Sequence, residues 1–293
     1  MFKSAFITII GLPNAGKSTL LNAIIGEQLV ITNKKAQTTR HRIKGIFNQK
    51  DCQLVFSDTP GIIKDSAYLL QEHMMKAVSE SMEDADILLV VMDVNNPKAK
   101  DELKPIVKLK DVPVVVALNK IDQSEQDQLE AKVEALQEAF GTDLIYPISA
   151  LNNFNIDHLV DKLKDLSPEH PPYYDQESIS DENVRFHVAE IIRDQMLTQF
   201  KKEIPYSAEV VVEDFKEEEK IDKIYATIYL ERDSQRVIVL GKGGSSIKRL
   251  GTEARKVIEK FLEKKVYLQL SIKIRKNWRK DELQLKRFGY IKK

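Results

Sequence analysis

Cysteine is almost absent: Cys52 stands alone in a chain of 293 residues. One thiol excludes a disulfide within the chain and any cysteine-rich zinc site, and it fits a reducing, cytoplasmic setting. Histidine is scarce as well. The five histidines are scattered, none is spaced with carboxylates as a metal site requires, and none is assigned to chemistry. Long apolar runs are missing: no stretch nears the roughly 18 residues of a membrane-spanning helix. The opening "MFKSAFITII" carries a short apolar run, broken by Thr8 and leading into a glycine loop. It reads as a buried first strand rather than a secretion leader. There is one tryptophan, Trp278, and no internal repeat.

Net charge is zero, yet this balance hides a division. From Gly241 to Lys293 there are 17 Lys and Arg against 5 Asp and Glu, a net of +12. The first 240 residues carry 28 against 40, a net of −12. A basic end on an acidic body points to nucleic acid or to a membrane surface, against the plainer reading of a solvated charged face.

What is present is enough chain for two cores, with 42% hydrophobic and 31% charged residues. Over the first ~165 residues, strand-like and helix-like stretches alternate. "AFITII", "CQLVFSD", "DILLVVMD", "VPVVVALN" and "DLIYPIS" are apolar, β-branched runs that end in polar residues, and "DQLEAKVEALQEAF" has helical periodicity. This alternation predicts an α/β domain with a mostly parallel sheet, whose ligands lie beyond the carboxyl ends of the strands. "SPEHPPYYDQESISDEN" holds three prolines and no apolar period, so a linker is placed at 167–182. Beyond it come an amphipathic helix, two alternating strands, the glycine-rich "VLGKGGSSI", a helix that Gly251 is expected to kink, and a closing strand "KVYLQLSIKI".

"GLPNAGKST", Gly11–Thr19, has the spacing G-x-x-x-x-G-K-S between a strand and a helix, the setting that a phosphate-binding loop needs. A chance glycine turn would lack those flanks. The backbone of Gly11, Leu12, Pro13, Asn14, Ala15 and Gly16 is expected to cradle phosphate, with Lys17 on the β- and γ-phosphates, Ser18 on Mg²⁺ and Thr19 closing the loop. "NKID" then selects the base. Asp122 can accept two hydrogen bonds from guanine N1–H and its exocyclic amine, whereas adenine would leave that carboxylate unpaired. Asn119 is expected to tie the loops together and reach N7. The stem of Lys120 covers the base, and Ser149 and Ala150 offer a backbone N–H to the guanine carbonyl. In "DTPG", Asp58 would hold Mg²⁺ through water, Thr59 and Pro60 follow, and Gly61 would give its N–H to the γ-phosphate. A threonine of "KKAQTTRHRIKG" should complete the metal shell, Thr39 being favoured over Thr38; the plainer reading of this segment is a basic surface loop.

Together "GLPNAGKS", "KAQTTRHRI", "DTPGI", "NKID" and "ISAL" resemble the Era family of bacterial GTPases. The resemblance runs the whole chain, because that family carries a C-terminal RNA-binding KH domain. It implies a P-loop GTPase domain over 1–166 and a smaller α+β KH domain over 183–293. The second glycine loop, Gly241-Lys242-Gly243-Gly244, fits the clamp that KH domains close on single-stranded nucleic acid, with Lys248 following on the next helix. A flexible surface turn is the plainer alternative. "RVIVL" before the loop favours a strand by composition, but a type II KH arrangement requires a helix from about Ser234. Trp278 is equally suited to stacking on a base and to packing on the sheet.

The residues thus predict a GTP/GDP switch coupled to an RNA-binding module. The resemblance implies single-stranded RNA at the 3′ end of small-subunit ribosomal RNA as partner and maturation of the small ribosomal subunit as role. It further implies a monomeric, cytoplasmic protein with peripheral membrane association, which the basic end would support through anionic lipid. Two alternatives stand beside this: a membrane signalling GTPase whose last domain binds lipid or protein, and a nucleotide-gated RNA-binding module with negligible turnover. Water activation is unusual. The position after Gly61, where many GTPases place a glutamine, is Ile62, which cannot hydrogen-bond water. Arg40 and Arg42 lie in the segment expected to move. Asn14 offers a carbonyl that could hold K⁺ beside the phosphates, or else it only braces the loop.

Overall fold

The structure, a computed structural model, describes all residues except Lys34, Ala36, Lys64, Lys292, Lys293 and the side chain of Gln126. Lys34 and Ala36 of the basic segment, and the last two lysines of the basic end, therefore lie outside the described residues. Two compact units emerge: Met1–Asp65 with Met74–Asp181, and Ser66–His73 with Glu182–Lys293.

The first unit is built on a six-stranded sheet. Its strands are β1 (Lys3–Ile10), β2 (Ile43–Gln49), β3 (Cys52–Asp58), β4 (Ile87–Asp93), β5 (Val114–Asn119) and β6 (Ile145–Pro147), in the order β2-β3-β1-β4-β5-β6. All neighbours are parallel except the hairpin β2–β3. The helices are α1 (Lys17–Ile25), α2 (Leu69–Glu83, of which Met74 onward belongs to this unit), α3 (Ala99–Val107), α4 (Leu129–Phe140) and α5 (Ile156–Leu166). A parallel sheet covered on both faces asks for near-continuous apolar strands. β3 is buried at every position and β4 at all but its last, Asp93.

Register brings the polar strand ends level. Ile9 pairs with Asp58 across β1–β3, and Asp93 pairs with Asn119 across β4–β5. The loop after β1, Asp58, Asp93, Asn119 and Ser149 thus share one edge of the sheet.

The Pro-rich segment is held on this unit. Ser4 N–H donates to the Pro168 carbonyl and His170 N–H to that of Phe2. The Gln53 side chain accepts from the N–H groups of Tyr173 and Tyr174 and donates to the Tyr174 carbonyl, while Ile46 N–H donates to Ile179. Lys44 adds a hydrogen bond to the Tyr174 hydroxyl and an ion pair with Asp181.

The second unit has α6 (Val184–Gln199), β7 (Glu209–Lys216), β8 (Asp222–Leu230), α7 (Asp233–Leu240), α8 (Ser245–Phe261), β9 (Val266–Ile274) and α9 (Glu282–Arg287). This is the expected helix–strand–strand–helix–helix–strand order, with a short helix added at the end. β8 is central, antiparallel to β7 and parallel to β9. Val188, Ile192 and Met196 of α6 and Leu250, Ala254 and Ile258 of α8 meet Ile224, Ala226 and Ile228 of β8 in the core.

"RVIVL" is helical, as the arrangement requires, and the reason is local. Buried Gln235 reaches back one turn, its Oε1 accepting from the N–H groups of Glu231 and Arg232 and its Nε2 donating to Ser207 Oγ. These bonds satisfy amides at the helix start that a strand would have to pair otherwise. The kink expected at Gly251 does not occur; α8 runs unbroken for 17 residues, with Gly251 facing Leu270 of β9.

Candidate active site and second glycine loop

A cleft of about 490 Å³ opens at the carboxyl edge of the first sheet, lined by Pro13, Asn14 and Gly16–Thr19 of the phosphate loop, Thr38, Thr39, Gly61, and Asn119, Lys120 and Asp122. The phosphate loop is tightly set. Gly16 has φ +100°, and a Cβ there would collide with the Asn119 amide nitrogen. The same amide donates to the Ala15 carbonyl at 3.0 Å, while Asn119 Oδ1 accepts from Ala150 N–H at 3.0 Å. One buried side chain thus joins the loops after β1, β5 and β6. Gly61 lies so close to Pro13 that a side chain would force them apart, and Ile62 N–H donates to the Gly11 carbonyl.

Lys17 is buried, and its Nζ donates to the carbonyls of Gly11 and Leu12 at 3.1 Å each. Burial pulls its pKa down to about 8, with the charge of Asp58 pulling the other way. Burial raises the Asp58 carboxyl, opposed by Lys17, Ser18 and Thr39. Dry surroundings therefore disfavour both charges, and a phosphate with a bound cation would supply what each lacks.

Ser18 Oγ and Thr39 Oγ1 both donate to Asp58 Oδ2, at 2.7 and 3.1 Å. The other carboxylate oxygen, Asp58 Oδ1, is buried without a hydrogen-bond partner among the described residues. Two hydroxyls and a carboxylate with one orphaned oxygen form a hard-oxygen set suited to Mg²⁺ completed by phosphate and water. The two threonines point different ways: Thr38 Oγ1 turns to the carbonyls of Lys35 and Asn33, whereas Thr39 joins Ser18 and Asp58. Thr59 is spent on structure, its hydroxyl donating to the Ile9 carbonyl.

The base-side loop departs in one detail from expectation. Ser149 N–H donates to Phe154 and Ala150 N–H to Asn119, so neither amide is open to a guanine carbonyl. The amide of the next residue, Leu151, has no such partner among the described residues, and Leu151 lines the cleft with 76% of its surface exposed. Its sequence signal is only position, one step past "ISA". Ser149 acts instead through its hydroxyl, which holds Asp122 Oδ1 at 2.6 Å. Asp93 is a second residue that no motif marks: it pairs with Lys120 Nζ at 2.6 Å.

Asn14 is exposed with φ +64°, and its side chain makes no hydrogen bond among the described residues; the loop is braced through its carbonyl, which accepts from Lys120. Arg42 is committed to Ser57 and Asp84, and neither it nor Arg40 lines the cleft.

The second glycine loop is crowded only at its first residue, Gly241, where a Cβ would meet Ser246. Gly243 and Gly244 have φ +59° and +78°, and a Cβ on either would meet nothing within 4 Å. Lys242 and Lys248 are exposed. The loop leads into the first turn of α8, where no side chain caps the N–H groups. Val237, Ile238 and Leu240 of α7, the helix that precedes it, are exposed. Trp278 is not part of this surface. It is fully buried, donating from Nε1 to the Ser207 carbonyl, so its role is packing. No helix is long and apolar enough to cross a membrane, and no cluster of three or more His, Cys, Asp or Glu offers a separate metal site, both among the described residues.

Comparison with known proteins gives the same division. Residues 6–120 match the family described as 50S ribosome-binding GTPase, and residues 203–279 match the KH domain family. Among solved structures the chain is similar to Era in complex with MgGDPNP and nucleotides 1506–1542 of 16S ribosomal RNA, at 31% identity over 100% of both chains with a TM-score of 0.95. It is equally similar to a single-residue variant of Era from Aquifex aeolicus bound to GDP·AlF4⁻, at 31% identity over 99% of this chain and 100% of that one, again with a TM-score of 0.95.

Proposed function

Because the chain belongs to the Era family of GTPases, we propose that it is a GTP-hydrolysing switch that binds single-stranded RNA at the 3′ end of small-subunit ribosomal RNA and assists maturation of that subunit. The observation that carries the catalytic half is the convergence of Ser18, Thr39 and Asp58 beside Lys17 in one cleft. The RNA half is supported by the bare backbone at Gly243 and Gly244, the exposed Lys242 and Lys248, and the net charge of +12 over residues 241–293. The broader description of the family matched by residues 6–120 names the large subunit. The reading here follows the small-subunit RNA held by the full-length neighbour.

In this reading Lys17 exchanges the carbonyls of Gly11 and Leu12 for β- and γ-phosphate oxygens. Ser18, Thr39 and Asp58 hold Mg²⁺, which when bound neutralises charge on the phosphates. Thr39 and Gly61 sense the γ-phosphate, and its loss on hydrolysis lets their segments relax. Asp122, steadied by Ser149, reads the guanine edge, with Lys120 over one face and Leu151 at the rim. Ile62 cannot orient water. Asn14, exposed and with a side chain that makes no hydrogen bond among the described residues, could hold K⁺, which would stabilise charge developing between the phosphates. The protein acts as a monomer in the cytoplasm, and its basic end can bring it to an anionic membrane surface.

Competition among GTP, ATP and XTP tests the assignment of the base. The wild-type chain should prefer GTP, and Asp122→Asn should prefer XTP, because xanthine presents a carbonyl where guanine has its amine. Equal binding of ATP and GTP by the wild type would overturn it.

A further inference from the structure

The mechanism above uses Lys120 as a cover for the base, yet Lys120 is itself held in place. Its backbone has φ +65°, a left-handed conformation that a residue with a side chain adopts only when its surroundings require it. Its Nζ donates at 2.7 Å to the Asn14 carbonyl and at 2.6 Å to Asp93 Oδ2. Asp93 is the last residue of β4, level with Asn119 in the neighbouring strand. Its second oxygen accepts the Asn95 N–H at 2.9 Å, which fixes the carboxylate plane. Val94 N–H donates to the Asn119 carbonyl, so the turn carrying Asp93 is fastened to the base-reading loop.

We propose that Asp93 is a positioning residue for nucleotide retention: it holds Lys120 so that one ammonium bridges the base loop and the phosphate loop at Asn14. This rests on the GTPase reading and adds a residue to it. A lysine with only the Asn14 carbonyl as partner would be a mobile point charge able to swing into solvent. Anchored by a carboxylate at its other side, it fixes its aliphatic stem along the cleft and draws the strained Asn14 backbone toward the base loop. Asp93 is not among the residues that line the cleft, and it acts through Lys120.

The test measures dissociation of a fluorescent GDP from the full chain, together with the GTP-over-ATP preference. Loss of one charge-assisted hydrogen bond should make GDP leave Asp93→Asn about tenfold faster. Base preference should be kept, since Asp122 sets it. Lys120→Met should show a similar acceleration, and the double variant should be no worse than Lys120→Met alone within about twofold, because both changes break one link. Multiplying effects in the double variant, or a rate for Asp93→Asn within twofold of wild type, would overturn the proposal. If Asp93→Asn fails to fold, Asp93→Glu decides: retained charge should keep dissociation within about threefold of wild type, and a rate equal to that of Lys120→Met would overturn it. Loss of guanine preference in the wild-type chain would instead sink the GTPase reading and leave the off-rates to stand alone.

Discussion

The two glycine loops use the same residue for opposite ends. In the first, glycine permits crowding: Gly16 lies against Asn119 and Gly11 against the Val91 carbonyl, and no space remains for even one methyl group. In the second, glycine leaves the backbone bare: Gly243 and Gly244 have left-handed φ values and open surroundings. A small, chemically fixed ligand such as a nucleoside triphosphate rewards a rigid pocket whose donors are in place beforehand. A polynucleotide backbone varies in path, and it is better met by an exposed loop that it can lie across.

Alanine at Gly16 should break the comparison most sharply. The added methyl meets the Asn119 amide and forces a side chain onto φ +100°. Displacing Asn119 costs two buried hydrogen bonds, so GDP affinity by calorimetry should fall at least about a hundredfold. Affinity within tenfold of wild type would show that the crowding is not needed. Gly243→Asp probes the other loop. Aspartate tolerates the left-handed conformation and has room there, so the fold should stand. Its charge would face RNA phosphate, and binding to a single-stranded RNA of the 16S 3′ end should weaken by about thirtyfold with GDP affinity unchanged within twofold. Unchanged RNA affinity in that folded variant would remove the second loop from RNA binding. The smallest effect belongs to Asn14. Turnover should be about fivefold faster in K⁺ than in Na⁺ at matched ionic strength, and Asn14→Ala should abolish the difference. Equal rates in the two salts would leave Asn14 a backbone brace only.

Much of this was legible from residues because phosphate chemistry constrains spacing. A loop that must turn, donate several N–H groups and place Lys17 and Ser18 has few sequences open to it, and the strand and helix flanking it carry their own periodicity. Structural partners were less legible. β2 follows a basic segment and mixes Lys, Asn and Gln with Ile and Phe, so its pairing with β3 shows only once β3 is known. Gln53 looks like a polar interruption in an apolar strand, and its reason is the backbone of Tyr173 and Tyr174, 120 residues away. Asp93 ends a strand as many residues do, and only the position of Lys120 gives it a purpose. Thr38 and Thr39 are alike in sequence, and the direction of each side chain separates them. For "RVIVL", β-branched composition argued for a strand, and Gln235, a residue outside any propensity scale's reach, fixed the helix.

The burial of Trp278 has an optical consequence. It is the single indole in the chain, shielded from water, with its N–H on the Ser207 carbonyl and the rings of Phe288 and Tyr290 beside it. Excited selectively near the red edge of protein absorption, the molecule emits from the RNA-binding half alone. The emission should be blue while the indole stays buried and should move red when that half melts, whatever happens around Lys17. Fluorescence from the natural sequence therefore separates the unfolding of one half from that of the other, and it supplies a built-in check that each glycine variant has kept its KH core.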